Sequence, residues 1–150
     1  CQSKDLSQCS KEEIGNAYDN AILYTDHFLG KAIELLKRND KNLETALFYL
    51  SDHGESLGEG GVYLHGLPRA IAPDSQLHVP AILWFGSGFD EIDLPSLSRK
   101  RHQRFTHDNL FHTILGFLEI RTSFYKPELD ILDGSRTSDK DGGHQARGSP

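Results

Sequence analysis

Two side chains that bind divalent ions, the carboxylate of Asp52 and the imidazole of His53, stand side by side in the string Ser51-Asp52-His53-Gly54-Glu55-Ser56-Leu57-Gly58. A carboxylate oxygen and a neutral imidazole nitrogen together suit zinc or a similar divalent ion. Zinc sites normally recruit about three or four protein ligands, so the pair reads as half a site. Metal-assisted phosphoryl or sulfuryl transfer is the leading class of chemistry. An Asp-His pair by itself is more often a turn carboxylate beside an ordinary histidine. The longer string is rarer. His65-Gly66 follows it, after the glycine-rich Gly58-Glu59-Gly60-Gly61-Val62-Tyr63-Leu64, which can fold back and bring His65 towards the same cleft. His65 is therefore a candidate to orient a ligand, bind a second metal, hold a phosphate oxygen or act as general acid. Glu55 either hydrogen-bonds a ligand histidine from outside the ligand set or faces solvent. His78 either orients a loop or takes a direct part in catalysis.

These residues need a scaffold. The apolar, aromatic-rich residues 45–50 predict a strand covered on both faces in a mostly parallel sheet. Neighbouring side chains on a regular strand point to opposite faces, so Asp52 and His53 can share an ion only where the strand has ended and the chain can turn. Gly54 permits a turn without a Cβ penalty, and open α/β sheets bind ligands beyond the carboxyl ends of their strands. Residues 79–85 predict a second buried strand, with Pro80 tolerated at its start. Ser10 and Glu13 have the spacing of a capping box opening a helix that runs to about Arg38. Its expected apolar stripe is Ile14, Ala17, Tyr18, Ala21, Thr25, Phe28, Ala32 and Leu35. Asp26 and His27 diverge by about 100° on that helix and do not share a metal. Residues 86–105 read as loop. Thr106 reads as the N-cap of a second helix with Leu110, Phe111, Ile114, Leu115 and Leu118 on its apolar face, and His107 and His112 as surface or packing residues. From Gly134 to Pro150 the polar, glycine-containing sequence predicts a mobile tail, giving a folded part at 1–133 and a tail at 134–150. Helix, strand, loop, strand, helix is an α/β pattern with a parallel sheet. Two strands and two helices do not close such a sheet, so the domain is expected to be incomplete.

Composition narrows the classes. A chain of 150 residues fits one domain, and its net charge of −6 gives no footprint for nucleic acid, whose binding needs clustered Lys and Arg. The one basic cluster, Arg99-Lys100-Arg101-His102-Gln103-Arg104, reads as a solvated loop, with anionic lipid headgroups as the minority alternative. No apolar run approaches the roughly 20 residues of a membrane-spanning helix, and no signal peptide opens the chain. Methionine is absent, position 1 included, so we expect a processed product or a piece of a longer protein. Cys1 and Cys9 allow one bridge, favoured in an oxidising compartment, with two reduced thiols the default in cytosol.

Taken together, Cys1, Cys9-Ser10, Glu13-Ile14, Asn16-Ala17-Tyr18-Asp19-Asn20, Tyr24-Thr25-Asp26-His27-Phe28-Leu29, Ser51 to Glu59, Val62-Tyr63-Leu64-His65-Gly66, Ala70-Ile71-Ala72-Pro73, His78-Val79-Pro80 and His107-Asp108-Asn109-Leu110-Phe111-His112-Thr113 form an ordered series. This series resembles the lipid A phosphoethanolamine transferases of the alkaline phosphatase and sulfatase superfamily, over residues 1 to about 132. The resemblance implies an alkaline phosphatase-like α/β domain on the periplasmic face of the inner membrane of Gram-negative bacteria, anchored through an N-terminal membrane domain absent here. It implies transfer of phosphoethanolamine from phosphatidylethanolamine to lipid A, with resistance to polymyxins as the result. Residue by residue, it implies Zn2+ ligands at Asp52 and His53, a histidine for the phosphoethanolamine group or an additional zinc at His65, and a disulfide between Cys1 and Cys9. The family's threonine nucleophile, glutamate zinc ligand and a further substrate histidine have no counterpart here, so the chain alone is expected to be inactive. The alternatives are a phosphoglycerol transferase, phosphatase or sulfatase of the same superfamily, or a non-catalytic metal-binding piece.

Overall fold

The computed structural model describes residues 1–137, and they fall into two compact units, Cys1–Gly88 and the part of Phe89–Pro150 up to residue 137. In the first unit helix α1, Lys11–Asn39, opens with the expected capping box: Ser10 Oγ accepts from Glu13 N at 3.2 Å and Glu13 Oε2 accepts from Ser10 N at 3.0 Å. Two orphan donors of the first turn are satisfied in this way. The covered face of α1 is rotated from the expected stripe. Ile14 is buried and Tyr18, Thr25, Leu29, Ala32, Ile33 and Leu36 are half-buried, whereas Ala17, Ala21, Phe28 and Leu35 are exposed. A cystine joins Cys1 to Cys9 ahead of the helix, with Cα atoms 5.6 Å apart.

Strand β1, Ala46–Leu50, pairs with β4, Ala81–Phe85, and the pairing is antiparallel, from Ala46 opposite Phe85 to Leu50 opposite Ala81. The parallel arrangement expected for these two strands is thus corrected. The reason lies in the connection: residues 51–80 leave β1 and return to β4 at the same end of the pair, which requires no crossover to the far end. Burial of these strands is corrected as well, since β1 is half-exposed throughout and Ala81 and Ile82 of β4 are exposed. The long excursion carries a two-residue hairpin, β2 at Ser56–Leu57 with β3 at Tyr63–Leu64, and one turn of helix, α2 at Asp74–Leu77.

In the second unit the segment expected as loop contains helix α3, Leu94–Arg99, followed by a 3-10 turn at Lys100–His102. Asp93 N-terminal to it and Pro95 in its first turn suit a helix start. The basic residues Arg99, Arg101 and Arg104 are exposed on this segment, while Lys100 donates to the carbonyls of Ile131, at 2.9 Å, and Asp133. Helix α4, Asp108–Phe117, begins two residues beyond Thr106, whose hydroxyl accepts from Asp108 N at 3.3 Å. Its buried side is polar as much as apolar: Asn109, His112, Thr113 and Leu115 are buried, while Phe111, Ile114 and Leu118 are exposed. Asn109 Nδ2 donates to Leu129 O at 2.8 Å, Lys126 N to His112 Nδ1 at 3.2 Å and Ile131 N to Thr113 Oγ1 at 3.0 Å, so these side chains dock the following segment.

The tail expected from Gly134 lies mostly outside the described residues. Its first four residues are described, and three of them, Ser135, Arg136 and Thr137, are anchored. Ser135 is 1 % exposed, Asp93 N donates to Ser135 O at 2.7 Å, and Thr137 N donates to Glu91 O at 2.9 Å. Arg136 Nη2 meets Asp130 Oδ2 at 2.7 Å, and the Asp130 side chain is fully buried. Backbone bonding and a buried ion pair hold residues that carry too little apolar surface to be recognised by pattern. No helix among the described residues is long and apolar enough to cross a membrane.

Candidate metal and phosphate site

Residues 51–54 leave the end of β1 and fold immediately. Ser51 Oγ donates to His53 O at 2.9 Å, and Asp52 Oδ1 accepts from His53 N at 3.0 Å, which turns the chain as soon as the strand stops. Asp52 and His53 thereby reach a common side: Asp52 Oδ2 lies 3.7 Å from His53 Nε2. Gly54 does its work by close approach rather than by an unusual φ. A Cβ there would fall on the carbonyl oxygen of Ser75, and Gly54 N donates to Gln76 O at 3.0 Å. Beneath this contact lies a small polar core that sequence spacing could not reveal, because its members are some 20 positions apart. Gln76 Nε2 donates to Ser56 Oγ at 2.9 Å, and Ser56 Oγ shares a hydrogen bond with Ser75 Oγ at 3.2 Å. It ties β2 to α2 and fixes the floor of the loop.

The glycine loop returns as expected. Gly58 at φ 110° carries the chain against the Tyr63 ring, and Leu64 adopts φ 62°, an uncommon conformation for a residue with a Cβ. His65 arrives next to His53, their ring centroids 3.6 Å apart with 29° between planes. Glu55 sits between them, its Oε1 2.8 Å from His65 Nδ1 and 3.9 Å from His53 Nδ1. The structure thus brings His53, Glu55 and His65 together, with Asp52 beside His53 alone; of the two readings left open for Glu55, it takes the hydrogen bond to a histidine. His78 is exposed at the C-cap of α2, and its side chain is not part of the group.

Zinc, implied by the resemblance, can be tested against these donors. His53 Nδ1 lies 3.2 Å from Gly54 O, which can only accept, so Nδ1–H donates there and in the neutral ring the lone pair is on Nε2. That lone pair is on the nitrogen nearer Asp52. Two donors each about 2.0–2.2 Å from one tetrahedral ion stand roughly 3.3–3.6 Å apart, so the 3.7 Å separation needs little adjustment. The couple fits as half of a zinc site. His53, Glu55 and His65 also bring one donor atom each within 4.8 Å of one another. The 2.8 Å between Glu55 and His65 is the length of a hydrogen bond, shorter than the roughly 3.3–3.6 Å between two ligands of a tetrahedral zinc.

The Sulfatase family model matches residues 2–120. Phosphoethanolamine transferase EptA of Escherichia coli (strain K12) is 45 % identical over 140 residues, covering 91 % of this chain and 26 % of that protein. Among solved structures, the soluble domain of lipooligosaccharide phosphoethanolamine transferase A from Neisseria meningitidis superposes with a TM-score of 0.85 at 40 % identity, over 91 % of this chain and 42 % of that one. The C-terminal periplasmic domain of phosphoethanolamine transferase EptC from Campylobacter jejuni superposes with a TM-score of 0.76 at 48 % identity, over 89 % and 42 %. The α/β fold is that of these two domains, in keeping with the alkaline phosphatase-like class expected from the sequence. The chain spans about a quarter of the length of the curated EptA relatives it matches.

Proposed function

The chain belongs to the sulfatase family, and from that membership we propose that it is the part of a zinc-dependent phosphoethanolamine transferase that supplies Asp52, His53 and His65 to the active centre. The reaction would move phosphoethanolamine from phosphatidylethanolamine to a phosphate of lipid A at the periplasmic face of the inner membrane. Masking that negative charge with an ammonium group would weaken the attraction of cationic polymyxins for the surface. The names of the relatives support the transferred group, and one of them supports a lipooligosaccharide acceptor.

One observation supports the reading: just past the end of β1, Asp52 Oδ2 and His53 Nε2 lie 3.7 Å apart. Asp52 would hold zinc through Oδ2, from a side chain that is 89 % exposed and open to a partner. His53 would hold it through Nε2, with Nδ1–H spent on the Gly54 carbonyl. Zinc bound there supplies Lewis-acid stabilisation of the negative charge that builds on the oxygens around phosphorus. His65, with Nδ1–H donating to Glu55, would donate Nε2–H of the charged ring to an oxygen of the phosphoethanolamine phosphate and so orient the group. The nucleophilic hydroxyl and the remaining metal ligands are assigned to residues outside this chain, so the chain alone is expected not to turn over.

Asp52→Ala and His53→Ala in the full-length protein test this. Mass spectrometry of lipid A should show loss of the phosphoethanolamine adduct in both variants, and undiminished transfer in either refutes the ligand assignment. The mass of the product formed by the unsubstituted protein separates phosphoethanolamine from phosphoglycerol addition, and release of free phosphate or sulfate marks a hydrolase.

A further inference from the structure

Histidine has two ring nitrogens, and which of them works is decided by what the other one touches. For His65 that neighbour is Glu55, at 2.8 Å from Nδ1. The geometry points to Glu55 as the positioning residue that accepts the Nδ1–H hydrogen bond of His65 and thereby leaves Nε2 as the working atom, one that donates to a phosphate oxygen when the ring is charged.

Three observations converge on it. A carboxylate can only accept, so a contact of this length puts the proton on Nδ1 whether the ring is neutral or charged. The other oxygen, Oε2, is buried without a hydrogen-bond partner among the described residues. A carboxylate half removed from water costs free energy to keep there, and a solvated surface glutamate would not adopt this placement. The stacked His53 ring also turns its Nδ1 to the same stretch of chain, donating to Gly54 O at 3.2 Å, with Glu55 Oε1 at 3.9 Å. Residues 54 and 55 thus take the Nδ1 edges of both rings, and both Nε2 atoms are kept for other partners. The left-handed backbone at Leu64 and Gly66, on either side of His65, is what presents that ring to Glu55.

The inference rests on the reading of His65 as the residue that holds phosphate, but its test needs no turnover. Long-range 15N–1H correlation spectra of the whole chain, recorded with the ring neutral, report the tautomer of His65. In the unsubstituted chain we expect the proton on Nδ1 and the lone pair on Nε2. Imidazoles free in water favour the opposite tautomer, so Glu55→Ala should move the proton of His65 to Nε2 while His53 stays as it was. An Nε2–H tautomer in the unsubstituted chain overturns the inference by itself, even where the variant does not fold. An unchanged tautomer in folded Glu55→Ala overturns it equally. Failure here leaves the transferase reading standing, and loss of that reading through the Asp52 and His53 variants leaves the tautomer result standing.

Discussion

His53 shows how much of a site can be settled within three residues. The carbonyl of Gly54 fixes its tautomer, the carboxylate of Asp52 faces the nitrogen that remains, and the hydroxyl of Ser51 holds its carbonyl. The types and adjacency of Asp52 and His53 were legible in the sequence because metal ligands are chemically conspicuous. The reason for Gly54 was not. Sequence reasoning assigned it the freedom to turn, whereas its structural role is to let the backbone pass against Ser75. That distinction is testable. Any side chain at position 54 meets a backbone carbonyl that cannot rotate away, so Gly54→Ala should destabilise the chain by about 1–3 kcal/mol through overpacking. Urea denaturation followed by circular dichroism measures it. An equilibrium stability equal to that of the unsubstituted chain would return Gly54 to the role of a plain turn residue.

Between elements, polar groups do work that hydrophobic periodicity does not register. Helix α4 was legible as a helix from its apolar spacing, yet the face it buries includes Asn109, His112 and Thr113, which bond to residues 126–131. Gly116 continues the same theme, since a Cβ there would collide with the Asp130 carboxylate. Asp130 accepts from Tyr125 Oη at 2.7 Å and from Arg136 Nη2 at 2.7 Å, which joins α4, its following segment and residue 136. Truncating one partner of a buried ion pair leaves an uncompensated charge. Arg136→Ala should therefore destabilise this unit by about 3–5 kcal/mol, read as a lower urea midpoint. Burial and the bond to Asp130 both push the Tyr125 phenol above its usual pKa. The folded state then holds the phenolic proton more tightly than the unfolded chain, whose tyrosines titrate near pH 10. The stabilisation is complete below that pH and is lost as pH climbs beyond it. Denaturation at stepped alkaline pH should show a fall in stability that Tyr125→Phe makes shallower, and identical slopes for the two proteins would contradict the shift.

At the scale of the whole chain, apolar runs say what residues are able to bury, and the partner surfaces decide whether they do so. The strands at 46–50 and 81–85 were placed correctly from such runs, but their orientation and exposure were not, because both depend on neighbours outside the local window. The cystine is different, since cysteine count and spacing are local information and the resemblance supplied the pairing that Cys1 and Cys9 adopt. Its contribution is open to measurement. Closing a loop whose ends are 8 positions apart removes unfolded-state entropy worth about 2–3 kcal/mol in the chain-entropy account. The bridge lies ahead of Ser10, and the capping box does not depend on it, since Ser10 and Glu13 bond to each other. Reduction should therefore lower the urea midpoint by an amount within that range while leaving the far-ultraviolet helix signal of the folded chain intact at 25 °C. A midpoint unmoved by reductant would mean that the unfolded chain gains no freedom at residues 1–9. A collapse of helix signal without denaturant would mean instead that α1 relies on the bridge for its first turn, and that its capping is insufficient alone.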